Sequence, residues 1–214
     1  MSASRKSARG TAKAPARAAH SRQLRIIGGK WRGRRLRFPP LGPIRPTPDR
    51  VRETLFNWIG SSVPGARCLD LFAGSGALGL EALSRGSAHV TFVECDPGAV
   101  RALRSHLAEW DAVGAQVQQT DALRFLARAP AQAAIAAFQI AFLDPPFGST
   151  ILAPAAQLLE ARGWLAAGAL IYVESDAGRE LPPLPERWRL LRAKRAGAVG
   201  YHLLERAAQA RTGE

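Results

Sequence analysis

From residue 66 onward, short apolar runs alternate with longer amphipathic ones, and this alternation restricts the fold more than any other feature. RCLDLF, HVTFVE, AQVQQT, FQIAFLD and ALIYVES have strand length and composition. ALGLEALSRG, PGAVRALRSHLAEW, DALRFLARA and ILAPAAQLLEARGW lie between them with helical spacing. Strand–helix alternation of this kind predicts an α/β doubly wound sheet, mostly parallel. WRLLRAKRAG and VGYHLLER break the pattern, two strand-like runs joined by a Gly-containing turn. They predict a terminal hairpin and at least one antiparallel strand. No internal repeat is visible.

The part before residue 66 is organised differently. Thirty Lys and Arg against seventeen Asp and Glu give a formal charge of +13 over 214 residues. Thirteen of those cations fall in residues 1–48, which hold no acid, so the rest of the chain is neutral. A basic arm on a neutral body points to a polyanion partner, above all nucleic acid. Residues 1–22 are Ser, Ala, Arg and Lys without apolar periodicity and are expected to be a disordered basic tail. Such a start also has the composition of a mitochondrial transit peptide, but the basic run continues into chain that reads as folded. LRIIGGKWRGRRLRF, residues 24–38, reads as a hairpin with Gly28, Gly29 and Gly33 at turns or bulges. Thr47 reads as the N-cap of a following helix, with Pro48 at its first position and Val51, Leu55, Trp58 and Ile59 on one face. No run approaches the ~18 apolar residues of a membrane span. Two cysteines exclude a disulfide scaffold and point to a reduced, cytoplasmic compartment. No His/Cys cluster has metal-ligand spacing, so no metal is expected.

Three acid-bearing motifs carry the chemistry. Gly74-x-Gly76-x-x-Gly79 follows a strand and opens a helix, the spacing of a dinucleotide fingerprint. By itself it does not separate NAD from other adenosine cofactors. Asp70, four residues before the first glycine, would repel a pyrophosphate but can hold an amino-acid ammonium; capping the turn is its plainer reading. Glu94 ends the second strand and can accept both ribose hydroxyls. Asp121 follows the third strand and either reads an adenine amine or caps the next helix. The most specific motif is Asp144-Pro145-Pro146-Phe147, after the strand FQIAFL. Two prolines fix the backbone and leave carbonyls without helical partners. The Asp144 carboxylate and the Pro145 carbonyl can then both accept from one NH₂ group, and Phe147 offers a face for a base. An exocyclic purine amine so held has its lone pair freed for attack on a sulfonium methyl, largely by positioning.

RIIGGKWRGRRL, RPTPDRVRETLFNWI, DLFAGSGALGLEALSRG, DPPF and LIYVES together resemble the bacterial 16S rRNA (guanine-N2)-methyltransferases, over residues 24–206. The resemblance implies a class I, Rossmann-like methyltransferase sheet of seven strands with the last antiparallel, and S-adenosyl-L-methionine as cofactor. It implies that Asp70, Phe72, Gly74 and Gly76 line the cofactor pocket, with Glu94 on the ribose, Asp121 and Ala122 near adenine, and Asp144 to Phe147 catalytic. Thr47, Arg52 and Glu53 would close one side of the cleft. Arg25, Lys30, Trp31, Arg32, Arg34, Arg35 and Arg50 would face the RNA, with Trp31 stacking or wedging near the target. The implied partner is 16S rRNA in the small ribosomal subunit or its precursor, approached by a monomer. The expected organisation is a tail at 1–22, a hairpin extension at 23–45, a methyltransferase domain at 46–208 and a flexible end at 209–214. The competing readings are a DNA adenine-N6 methyltransferase, for which the chain leaves little room for a recognition domain, an NAD-binding protein, and a non-catalytic RNA-binding assembly factor.

Overall fold

A computed structural model describes residues 22–38, 47–128 and 137–208. All of the expected basic tail except Arg22, and the expected flexible end from 209, lie outside the described residues.

Among the described residues, seven strands form the central sheet: β3 (Arg67–Asp70), β4 (His89–Glu94), β5 (Ala115–Gln119), β6 (Phe138–Leu143), β7 (Leu165–Asp176), β8 (Trp188–Ala196) and β9 (Val199–Arg206). Their order is β5-β4-β3-β6-β7-β9-β8. β3 to β7 pair in parallel, while β9 runs antiparallel between β7 and β8. The C-terminal hairpin expected from the sequence is therefore present, and its second strand is inserted into the sheet.

Period-two alternation along each strand feeds two cores. Cys68, Val90, Phe92, Ile140, Phe142 and Tyr172 face one side, where they pack with α1 (Asp49–Ile59), α2 (Ala77–Ser84) and α3 (Pro97–Glu109). Leu69, Val93, Ala141, Leu143, Ile171 and Val173 face the other, against α4 (Ala122–Ala127) and α5 (Leu152–Ala161). A sheet buried on both faces accounts for the near-continuous apolar strands.

The N-terminal hairpin pairs β1 (Arg22–Arg25) with β2 (Arg35–Phe38). Its connection is longer than a tight turn and contains a 3₁₀ turn at Gly29–Trp31. Gly29 and Gly33 have φ of 75° and 84°, a left-handed conformation that explains glycine at both. Ile26, Trp31, Leu36 and Phe38 are buried in the same core as α1, α2 and α3. Each such side chain is worth roughly 1.5–3 kcal/mol in apolar transfer, so the hairpin is docked by its core face while its cations stay in solvent.

Helix α1 starts one residue later than expected. Pro48, not Thr47, is the N-cap, and no side chain caps the helix. The Thr47 hydroxyl has other partners, described below.

Candidate active site

The C-terminal ends of β3, β4, β5 and β6 open on a cavity of about 710 Å³, a size suited to a nucleoside-sized ligand. Its position outside the carboxyl ends of a parallel sheet is the general ligand position in this class of fold. Among the described residues, five carboxyl groups line it, from Asp70, Glu94, Asp96, Asp121 and Asp144, against one cation, Arg101. A wall of that composition disfavours a pyrophosphate and suits a cationic ligand.

Each acid reaches the wall through the backbone that precedes it. Asp70 ends β3, is buried, and its Oδ2 accepts the Gly79 amide of α2 at 2.9 Å. The capping reading and the pocket reading of Asp70 are thus both geometrically satisfied. Burial pushes its carboxyl up to about 7, with the charges of Asp144 and Glu94 adding to that and the Gly79 bond opposing it. Glu94 ends β4, and its two oxygens accept the Gly74 and Asp96 amides, each at 2.7 Å. It therefore shapes the glycine turn as well as facing the cavity. Asp121 caps α4 by accepting the Arg124 amide at 3.0 Å and also lines the cavity. Asp96 caps α3 through the Ala99 amide.

The glycines differ in what they permit. Gly74 and Gly76 have φ of 52° and 77°, which the turn into α2 requires. A Cβ at Gly79 would overlap the Phe92 ring, so this glycine serves the packing of α2 on β4. Gly74, Phe72 and Ala122 line the cavity, and Gly76 is not among the lining residues.

Asp144 leaves β6 into the same cavity, together with Pro146 and Thr47. Loss of water around it in the cavity wall raises its carboxyl to about 6, a shift that the bond from Thr47 opposes. The Thr47 Oγ1 lies 3.1 Å from Asp144 Oδ2 and 2.8 Å from Glu174 Oε1. Pro145 and Phe147 are not among the lining residues, and the Phe147 ring is exposed in the segment after β6.

Some of the expected site residues have other surroundings. Arg52 is fully buried and away from the cavity wall. Its Nη2 donates to the Arg25 carbonyl at 2.8 Å and to Asp49 at 2.6 Å, and its Nη1 faces Glu81 at 3.6 Å. It joins α1, α2 and the hairpin, because the helical face that carries it turns inward. Glu53, beside it, is exposed and does not line the cavity. Trp31 is buried and packs on Trp110, with ring centroids 5.3 Å apart, so its face is not free to stack on or wedge beside a base. Lys30, Arg32, Arg34, Arg35 and Arg50 are exposed, as is Arg25, which pairs with Asp49 at 3.0 Å.

The residues that the sequence does not single out are the buried polar ones. Glu81, fully buried in α2, accepts the Ile27 and Gly28 amides at 2.8 Å each and pairs with Arg85. Ser84 accepts the Trp31 amide and donates to the Gly28 carbonyl. His106 of α3 reaches the backbone of Arg37. Among the described residues no group of His, Cys, Asp and Glu is arranged to hold a metal ion, and no helix is long and apolar enough to cross a membrane.

The sheet order, the antiparallel strand β9 and the acidic cavity behind a glycine turn define a class I, Rossmann-like methyltransferase. An RNA methyltransferase from Salinibacter ruber, solved in complex with S-adenosyl-L-homocysteine, shares this fold at 18% identity and a TM-score of 0.56, covering 79% of this chain and 98% of that one. The family model described as Conserved hypothetical protein 95 matches residues 24–205, and the chain belongs to that family. It is 50% identical to Ribosomal RNA small subunit methyltransferase D of Escherichia coli over 189 residues, 88% of this chain and 93% of the relative. The protein of the same name from Haemophilus influenzae is 42% identical, over 86% of this chain and 94% of that one. A solved Escherichia coli protein, yhhF, superposes with a TM-score of 0.80 at 50% identity, covering 87% of this chain and 99% of that chain.

Proposed function

We propose that this protein transfers a methyl group from S-adenosyl-L-methionine to the exocyclic N2 amine of a guanine in 16S rRNA of the small ribosomal subunit. The observation that carries this reading is the placement of Asp144 in the same cavity wall as Asp70 and Glu94. It sets an amine acceptor beside a pocket whose acids suit a cationic nucleoside. The names of the 50% and 42% identical relatives supply the substrate class.

In this reading Asp70 holds the ammonium of the cofactor, Glu94 its ribose hydroxyls, and Asp121 with Ala122 the edge of its adenine. The bound cofactor supplies an electrophilic sulfonium methyl. Asp144 and the Pro145 carbonyl accept the two N2 protons, which draws the amine toward a tetrahedral shape and frees its lone pair. Pro145 and Pro146 keep that carbonyl out of any helix. Phe147, exposed at the end of β6, offers its ring to a guanine extruded from its stack. Asp144 is also the acceptor for the proton that the methylated nitrogen sheds. Lys30, Arg32, Arg34, Arg35 and Arg50 hold phosphates around the target.

The test is methyl transfer from labelled cofactor to small subunits that lack the mark, followed by nucleoside analysis. N2-methylguanosine is the expected product; N6-methyladenosine, or transfer only to DNA, overturns the assignment. Asp144→Ala is expected to lower kcat by about 10²–10³, the range for loss of one preorganised charge-bearing partner. The carboxylate form is the active one, so kcat falls as pH drops through about 6.

A further inference from the structure

Glu174 is nearly fully buried in β7 and is not part of the cavity wall. Its Oε1 lies 2.8 Å from the Tyr172 hydroxyl and 2.8 Å from Thr47 Oγ1, which in turn lies 3.1 Å from Asp144 Oδ2. One hydroxyl thus stands between two carboxyl groups. A threonine hydroxyl carries one proton. It can donate to only one of the two oxygens, and toward the other it must accept. That other carboxyl must then carry a proton itself. The geometry therefore places one proton on the Asp144–Glu174 pair, as in other paired carboxyls.

Burial decides which member holds it. Asp144 faces the cavity and is partly exposed, whereas Glu174 is enclosed by Tyr172, Tyr201 and Thr47. Among the described residues no Lys, Arg or His pairs with Glu174. His202 of β9 stands opposite Val173, on the other face of the sheet. Asp70 is the acid next beyond Asp144. Burial and the nearby charge of Asp144 raise the Glu174 carboxyl well above the usual range.

We propose that Glu174 is a positioning residue for methyl transfer: as a neutral acid it donates to the Thr47 hydroxyl and so turns the hydroxyl proton onto Asp144 Oδ2. The hydrogen bonds then run in one direction, from Tyr172 to Glu174 to Thr47 to Asp144. Asp144 stays ionised, is held by one oxygen, and keeps Oδ1 for the substrate amine. If Glu174 loses its proton, it becomes the acceptor of the Thr47 hydroxyl's hydrogen bond. Asp144 then loses its donor and gains a buried like charge. This rests on the role given to Asp144 above.

The experiment compares Glu174→Gln and Glu174→Ala with the unmodified enzyme on subunits lacking the mark, across pH. Glu174→Ala is expected to lose tenfold or more in kcat with cofactor affinity changed less than threefold. Glu174→Gln, which keeps a neutral donor toward Thr47, is expected to recover most of that loss. The unmodified enzyme is expected to lose activity at alkaline pH as Glu174 ionises, and Glu174→Gln to lack that component of the fall. Infrared difference spectra at neutral pH are expected to show a protonated carboxyl band that Glu174→Gln removes, a readout independent of turnover. Equal impairment of both variants, identical alkaline limbs, or no band assigned to Glu174 overturns the proposal. Absence of methyl transfer by the unmodified enzyme, with the band present, instead overturns the substrate assignment and leaves the proton on Glu174 established.

Discussion

Asp70 serves two partners with one carboxyl group. One oxygen is fixed by the Gly79 amide, and the group lies in the cavity wall with a carboxyl raised to about 7. A raised folded-state value means that the folded protein binds this proton more tightly than the unfolded chain, whose aspartates titrate near about 3.9. The stabilising contribution is complete below about pH 4 and is lost as pH rises through about 7. A cationic ligand beside Asp70 favours its ionised form, so cofactor affinity is expected to rise with pH through the same window. Asp70→Asn keeps an acceptor for Gly79 but removes the charge. Calorimetry is expected to show at least tenfold weaker cofactor binding with that pH dependence gone, and melting curves at pH 8 no loss of stability. Undiminished affinity would remove Asp70 from the ammonium site. Asp70, Glu94, Asp121 and Asp144 are all legible in the sequence, because an acid at the end of a strand in this fold class has only one place to go. Glu174 is not, since its meaning lies in Thr47, 127 residues away.

At the scale of elements, the sequence displays periodicity but not partnership. The spacing in RPTPDRVRETLFNWI predicts α1 to within a residue, yet it cannot say that Arg52 faces inward. The reason is Glu81, on a helix with no exposed face. All eight residues of α2 are buried, and an acid among them reads as an anomaly until the hairpin is laid against it. Glu81 then meets Arg52, Arg85 and two hairpin amides. Trp31 misleads for the same reason, because an aromatic among cations looks like a base-stacking device until Trp110 covers it. Breaking a buried, hydrogen-bonded ion pair on one side costs about 3–5 kcal/mol. Glu81→Ala is expected to destabilise the protein by that order in denaturant titration, because Arg85 loses its carboxylate and the Ile27 and Gly28 amides lose their acceptor. A loss under about 1 kcal/mol would show that the hairpin is held by its apolar side chains alone.

Over the whole molecule the charge excess separates from the chemistry. Five of the seventeen acids gather at the cavity, while Lys30, Arg32, Arg34 and Arg35 project from a hairpin whose other side is core. The fold class follows from the alternation of elements, and the antiparallel end of the sheet from two terminal runs that read as strands. Replacing those four cations by Ala is expected to weaken subunit binding and to reduce the slope of log affinity against log salt by roughly three, at about 0.7–0.9 per phosphate contact. Cofactor affinity measured on the same variant is expected to stay unchanged. An unaltered salt slope would place the RNA contacts elsewhere.

Helix α2 is eight residues long and is tied to its surroundings at several points. Asp70 holds its third residue at the glycine turn, and its fifth and eighth residues hold the hairpin. Local opening in proteins proceeds in cooperative units rather than residue by residue. Releasing the hairpin would take the Ile27 and Gly28 amides from Glu81 and the Trp31 and Gly28 backbone from Ser84, and bare the buried Arg52. The arm that bears the cations and the turn that shapes the pocket are accordingly expected to open together. A ligand that steadies the turn is expected to slow hydrogen exchange at the Ile27 and Gly28 amides, although it touches neither.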